Sequence, residues 1–256
     1  WRNTFLLIGV IAVVQGIIIL IKLKDTPKEY GFDVTKEIKI EKISVIEGLK
    51  SVLTNSSTYY NALIMFSLVG ITTAFSSLWI VPYISDVYLV EKGVAAFIAS
   101  FLTYGMVFGA VIMGKVFGKI KNNRLNVVRI CGIINVVIWL FIIICDAKPP
   151  ILFLPVLFFV IGILNMSHIE AFNDVKKNNE TKYAGLSTSA INASEFIGSG
   201  IINIFIGSIM GLNLGILAEY RIGFSIFVVM NLITILGATL SIKKENKEKM
   251  NKEISI

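Results

Sequence analysis

Seven long runs of apolar residues, almost free of charge, divide this chain: about 4–21, 58–81, 94–114, 127–145, 151–169, 184–211 and 222–242. A hydrocarbon core about 30 Å thick is crossed by a helix of about 20 apolar residues. The runs meet that length, with the shortest, Ile130 to Cys145, marginal. Composition agrees, since 55% of the 256 residues are hydrophobic and 16% charged, against about 25% charged in a soluble domain. The apolar residues are gathered into blocks and not spread at a period of 3.6 or 2, which points to lipid as the solvent. No run shows the ten-residue alternation of barrel strands. The expected fold is therefore all-α and membrane-embedded, with seven transmembrane helices.

The basic residues orient these helices. Twenty of the 24 lie in the segments after spans one, three, five and seven, and only Arg2, Lys92, Lys148 and Arg221 lie on the other side. Cytoplasmic loops carry the excess of Lys and Arg, so the N-terminus is expected outside and the C-terminus in the cytoplasm of a multi-pass protein. The net charge of +7 has this membrane explanation, and no aromatic-interleaved basic surface suggests nucleic acid. Four regions follow: a helix over 1–22, a charged cytoplasmic linker over 23–57, a six-helix domain over 58–242 and a basic tail over 243–256. Within the linker Ile43, Ile46, Leu49 and Leu53 recur at helical spacing, as in an amphipathic helix lying on the inner leaflet or an ordinary solvated helix. Pro149 and Pro150 open the fifth span, where missing amide protons cost nothing. Cys131 and Cys145 fall in one run, about 21 Å apart along a helix and beyond disulfide reach. The chain opens at Trp1 with no basic n-region or cleavage site, as a piece of a longer protein would.

Some polar and small residues in the spans invite function. Glu195 is the only charged side chain between Lys182 and Glu219, and acidic residues at that depth usually face a cavity or a partner. Asn192, Glu195, Ser199 and Asn203 share one helix face, which makes Glu195 a candidate for proton coupling, with a structural carboxyl as the bland alternative. Gly105, Gly109, Gly114 and Gly118 in span three, and Ser199, Asn203, Gly207 and Gly211 in span six, form small-residue stripes. Such stripes let helix backbones approach closely, either as a sliding contact or as static packing. His168, the sole histidine, sits at the end of span five beside Glu170 and is a solute or proton candidate of lower rank. One histidine and two helix-bound cysteines cannot build a metal site, and no cofactor is expected.

Local patterns also resemble a known family. Asp25-Thr26-Pro27-Lys28-Glu29-Tyr30-Gly31 after the first span is similar to the exit of the sixth helix of the major facilitator superfamily. Leu78-Trp79-Ile80-Val81-Pro82-Tyr83 resembles a seventh-helix pattern of its organic-anion and metabolite symporters. The glycines of span three leading to Arg124 resemble the second copy of the family's loop motif, with Gly118 at the motif's acidic position. Tyr183-Ala184-Gly185 resembles the start of the eleventh helix. The resemblance covers helices six to twelve of twelve. It implies two inverted three-helix repeats, spans two to four and five to seven, forming the C-terminal half of a transporter whose other N-terminal helices are missing. It also implies alternating access to a small polar or anionic solute, with span two lining the cavity. Thr72, Ser76 and Trp79 share a face there, although hydroxyls in helices often bond back to their own backbone; Tyr104 and Asn165 are further candidates.

Rival classes fare less well. No serine lies in a Gly-x-Ser-x-Gly context, no paired intramembrane aspartates or His-Glu-x-x-His occur, and an enzyme is not expected. A seven-helix receptor-like protein fits the count, but a retinal protein would carry a lysine between Ile222 and Ile242, and there is none. A non-transporting membrane scaffold is the remaining alternative.

Overall fold

The computed structural model describes residues 2–24, 27–31, 44–120, 122 and 124–254. Two compact units emerge, Trp1–Ile43 and Ser44–Ile256. Seven helices are long and apolar enough to cross a membrane, and no strand occurs among the described residues. The count and the all-α class match the sequence expectation. Helix is what lipid enforces, because a spanning segment must satisfy every backbone N–H and C=O internally.

The first unit holds α1 (Arg2–Lys22), none of whose residues is buried within the unit. Its exit folds back through a 3-10 turn, Pro27–Tyr30. The Tyr30 hydroxyl donates to the Lys22 carbonyl at 2.9 Å and accepts from the Lys24 amide at 2.9 Å, while Lys24 Nζ donates to the Glu29 carbonyl. Gly31 follows at φ +82°, a conformation glycine adopts without penalty. Asp25 and Thr26 of the exit motif, and Ile43 with Lys36, Lys39 and Lys42 of the linker, lie outside the described residues.

The second unit begins with α2 (Val45–Thr54), capped by Ser44, whose hydroxyl accepts from the Glu47 amide. Asn55 ends α2 and also caps α3 (Ser56–Ile64), accepting from the Ser57 amide at 3.0 Å. Span two then continues through a π-helical turn (Met65–Val69), α4 (Gly70–Ala74), a second π turn (Phe75–Trp79) and α5 (Ile80–Tyr88). Span three is α6 (Lys92–Lys119). Span four is α7 (Leu125–Ile144), which begins five residues before the apolar run and so reaches the length that Ile130–Cys145 lacked. Span five is α8 (Leu154–Asn165), a 3-10 turn (Met166–His168) and α9 (Ile169–Lys177). His168 was expected at the end of this span; the helical column instead runs nine residues past it. Span six is α10 (Ala184–Met210). Span seven, α11 (Ile216–Ile254), carries the basic tail as a continuous helix.

The packing has internal symmetry. Span three lies against span five, span six against span two, and span four against span seven. Exchanging spans two to four with five to seven maps each of these pairs onto another or onto itself, as inverted repeats require. Glycines repeat the pattern. A Cβ on Gly105 would collide with the Phe159 backbone, and one on Gly162 with the Leu102 carbonyl; likewise one on Gly198 would meet the Phe66 carbonyl, and one on Gly70 the Gly198 backbone. In both cases backbones touch where only hydrogen fits. An aromatic core fills the centre, where Phe75 makes edge contacts with Trp139, Phe158, Phe224 and Phe227 at 5.1–5.8 Å. The outer helix faces leave many large apolar side chains exposed, as lipid contact demands.

Candidate functional site

Polar side chains are costly at this depth unless they are partnered or face a cavity. Thr72 on α4 bonds back to the Leu68 carbonyl at 2.9 Å, and its hydroxyl also accepts from Asn165 Nδ2 at 2.8 Å. Asn165 in turn accepts from Asn135 Nδ2 at 3.0 Å. This chain joins spans two, five and four, and all three residues are buried. Asn135 was not expected from sequence, since a lone amide in an apolar run gives no periodic signal. Its Oδ1 has no hydrogen-bond partner among the described residues. His168 is tied to the same region by Nδ1 at 2.7 Å from the Asn165 carbonyl, with its ring edge-on to Phe172.

A second group joins spans two and six. Trp79 Nε1 donates to Asn203 Oδ1 at 2.9 Å, and Gly207 lies beside the same indole. Ser194 donates to the Ala62 carbonyl at 2.9 Å. Along this side of α10, Asn192 and Glu195 are half-buried and Ser199 is buried. None of the three has a side-chain hydrogen bond or ion pair among the described residues, which leaves the Glu195 carboxyl unpartnered within this unit.

Other candidates stand apart. Ser76 is exposed and reaches only the Thr73 carbonyl, at 3.5 Å. Tyr104 is half-exposed in an aromatic row with Phe101 and Phe97. Gly105 and Gly109 lie directly on span five, Gly109 against Ile163. Gly114, Gly118 and Gly211 have no close contact from another helix.

One end of the unit carries a polar cluster that sequence reasoning missed. Asp174 on α9 is 7% exposed and accepts from Asn61 Nδ2 at 2.7 Å, Ser241 at 3.0 Å, Asn178 at 3.0 Å and Ser57 at 3.3 Å. Those donors come from α3, α11 and the end of span five. Lys244 reaches Asn55 at 2.9 Å on the same end. Beside it a cavity of about 490 Å³ is lined by Arg124, Glu170, Asp174, Lys176, Lys177 and Glu245, among others. Arg124 lies 3.8 Å from Glu170, so the loop after span three has an acidic partner on span five although Gly118 supplies none. None of the intramembrane candidates lines this cavity.

The second unit thus combines symmetric three-helix packing, a buried polar chain from Thr72 to Asn135, and an acidic side chain, Glu195, on α10. Among curated proteins none matches the chain. The family profile described as Major Facilitator Superfamily matches residues 1–202, from α1 through most of α10. The chain belongs to the major facilitator superfamily of membrane transporters.

Proposed function

We propose that this protein is a secondary active transporter that moves a small polar or anionic metabolite by alternating access, driven by protons. In this reading the six helices of Ser44–Ile256 form one wall of the solute pathway, and further N-terminal helices of the same protein form the other. The lysine-rich loops lie in the cytoplasm with the C-terminus, and the N-terminal end of α1 is outside. The observation that carries the proposal is Glu195: a half-buried carboxyl in the middle of α10, with no partner among the described residues and with Asn192 and Ser199 on its own side. Low-dielectric surroundings make a lone carboxylate expensive, so such a group is suited to taking and releasing a proton as its exposure changes. The Thr72–Asn165–Asn135 chain and the Trp79–Asn203 pair supply hydrogen-bonding groups for a polar solute.

Uptake into vesicles containing the whole protein, under an imposed pH gradient, tests this reading. Glu195→Gln is expected to abolish gradient-driven accumulation and the pH dependence of uptake, while solute exchange across the membrane continues. Unchanged accumulation and pH dependence would remove Glu195 from the mechanism. Absence of any solute flux in the unaltered protein would favour a scaffold instead.

A further inference from the structure

α2 is too short to span a bilayer, yet it is apolar on more than the side it buries. Only Gly48 and Val52 are buried, packed on the start of span six, where a Cβ on Gly48 would strike the Tyr183 ring and the Leu186 side chain. Val45, Ile46, Leu49 and Leu53 remain exposed, Ile46 by 81%. At 100° per residue these four form one stripe next to the buried side, with Glu47, Ser51 and Thr54 opposite. The stripe is bordered by cations: Lys50 follows Ile46 by one turn, and Lys182 sits over the Tyr183 ring at 4.9 Å while paired with Glu180 at 3.0 Å. Because Asn55 both ends α2 and caps α3, and because Gly48 rests on the first residues of α10, α2 lies at the level where two spans begin. In a bilayer whose hydrocarbon core those two spans cross, that level falls in the headgroup zone.

We propose that α2 is a membrane-surface anchor whose stripe of Val45, Ile46, Leu49 and Leu53 sinks into the leaflet at the lysine-rich end, with Lys50 and Lys182 holding anionic lipid headgroups. An apolar face at this height, rimmed by basic residues, fits the boundary between acyl chains and phosphates. The inference rests on the helices being membrane spans and not on solute transport, so it stands or falls independently of Glu195.

The test uses the whole protein, with Cys131 and Cys145 replaced and an environment-sensitive dye on a single cysteine at Ile46 or, as control, at Glu47. Vesicles contain equal parts phosphatidylglycerol and phosphatidylcholine, one or the other brominated on its acyl chains. The dye at Ile46 should emit blue-shifted and lose on the order of half its emission to brominated lipid, since an interfacial helix buries its apolar face to about that depth. The dye at Glu47 should do neither. Quenching at Ile46 should be stronger with brominated phosphatidylglycerol, and Lys50→Glu should erase that preference. Water-like emission at Ile46 would overturn the proposal. So would blue-shifted emission that brominated lipid does not quench, because protein would then cover the stripe. Equal quenching by the two lipids would overturn the anionic preference.

Discussion

Asp174 shows how much one carboxylate can organise in a membrane protein. Its oxygens gather donors from α3, α11 and the end of α9, with no ion pair to a cation within 4.0 Å among the described residues. Replacing it by leucine leaves the buried Ser57 and Ser241 hydroxyls without this acceptor and Asn61 with only Ser57 to donate to, and each unsatisfied buried group costs about 1–3 kcal/mol. Asp174→Leu is therefore expected to lower stability by roughly 3 kcal/mol, measured as a fall in the thermal unfolding midpoint in detergent, with Asp174→Asn milder because it still accepts. Little in the residue order hints at this, because Asp174 sits among Lys176, Lys177 and Glu170 and looks like part of a solvated charged turn. Asn135 was hidden for a related reason: hydropathy averages over one amide. Glu195 was legible because an acid isolated in a long uncharged stretch stands out against that average.

Among whole elements, span two departs furthest from regular helix. Its two π turns flank α4, so the segment bearing Thr72 is bounded on both sides by places where the hydrogen-bond ladder shifts; π turns inside helices are frequent at functional sites. α10 engages both, with Gly198 against Phe66 of the first and Asn203 against Trp79 of the second. Glycine spacing in sequence marks Gly105, Gly109, Gly114 and Gly211 alike; a Cβ at the first two would collide with span five, while at Gly114 and Gly211 it would meet nothing from another helix among the described residues. Alanine at Gly198 or Gly105 should therefore cost about 1–3 kcal/mol as overpacking, while alanine at Gly114 should be nearly silent. Thermal unfolding of the purified variants distinguishes the two classes. Trp79→Phe keeps the ring but removes the donor to Asn203, and should weaken uptake with a smaller loss of stability than Gly198→Ala.

For the molecule as a whole, the charge pattern makes a topological prediction. Lys148 and Lys177 flank span five at its two ends, and both are exposed. Single cysteines at these positions should react with a membrane-impermeant reagent from opposite compartments, position 148 from outside and position 177 only after permeabilisation. Reaction of both from one side would overturn the orientation. Inverted symmetry makes a further demand: the span three–span five and span two–span six contacts are equivalents, so Gly105→Ala and Gly198→Ala should carry penalties of similar size.

What the amino-acid order determined by itself was the solvent of each segment and the number of crossings. Transfer into lipid is decided by a sum over some twenty neighbouring residues, and a sum over neighbours can be read along a line. The tertiary structure alone decided which polar atoms meet. Thr72, Asn135 and Asn165 lie on three different spans, and their hydrogen bonds depend on how those spans rotate and approach. In lipid that rotation is fixed by the fit of small residues such as Gly105 and Gly198 against particular backbones, a matter of shape between distant segments that no local window contains.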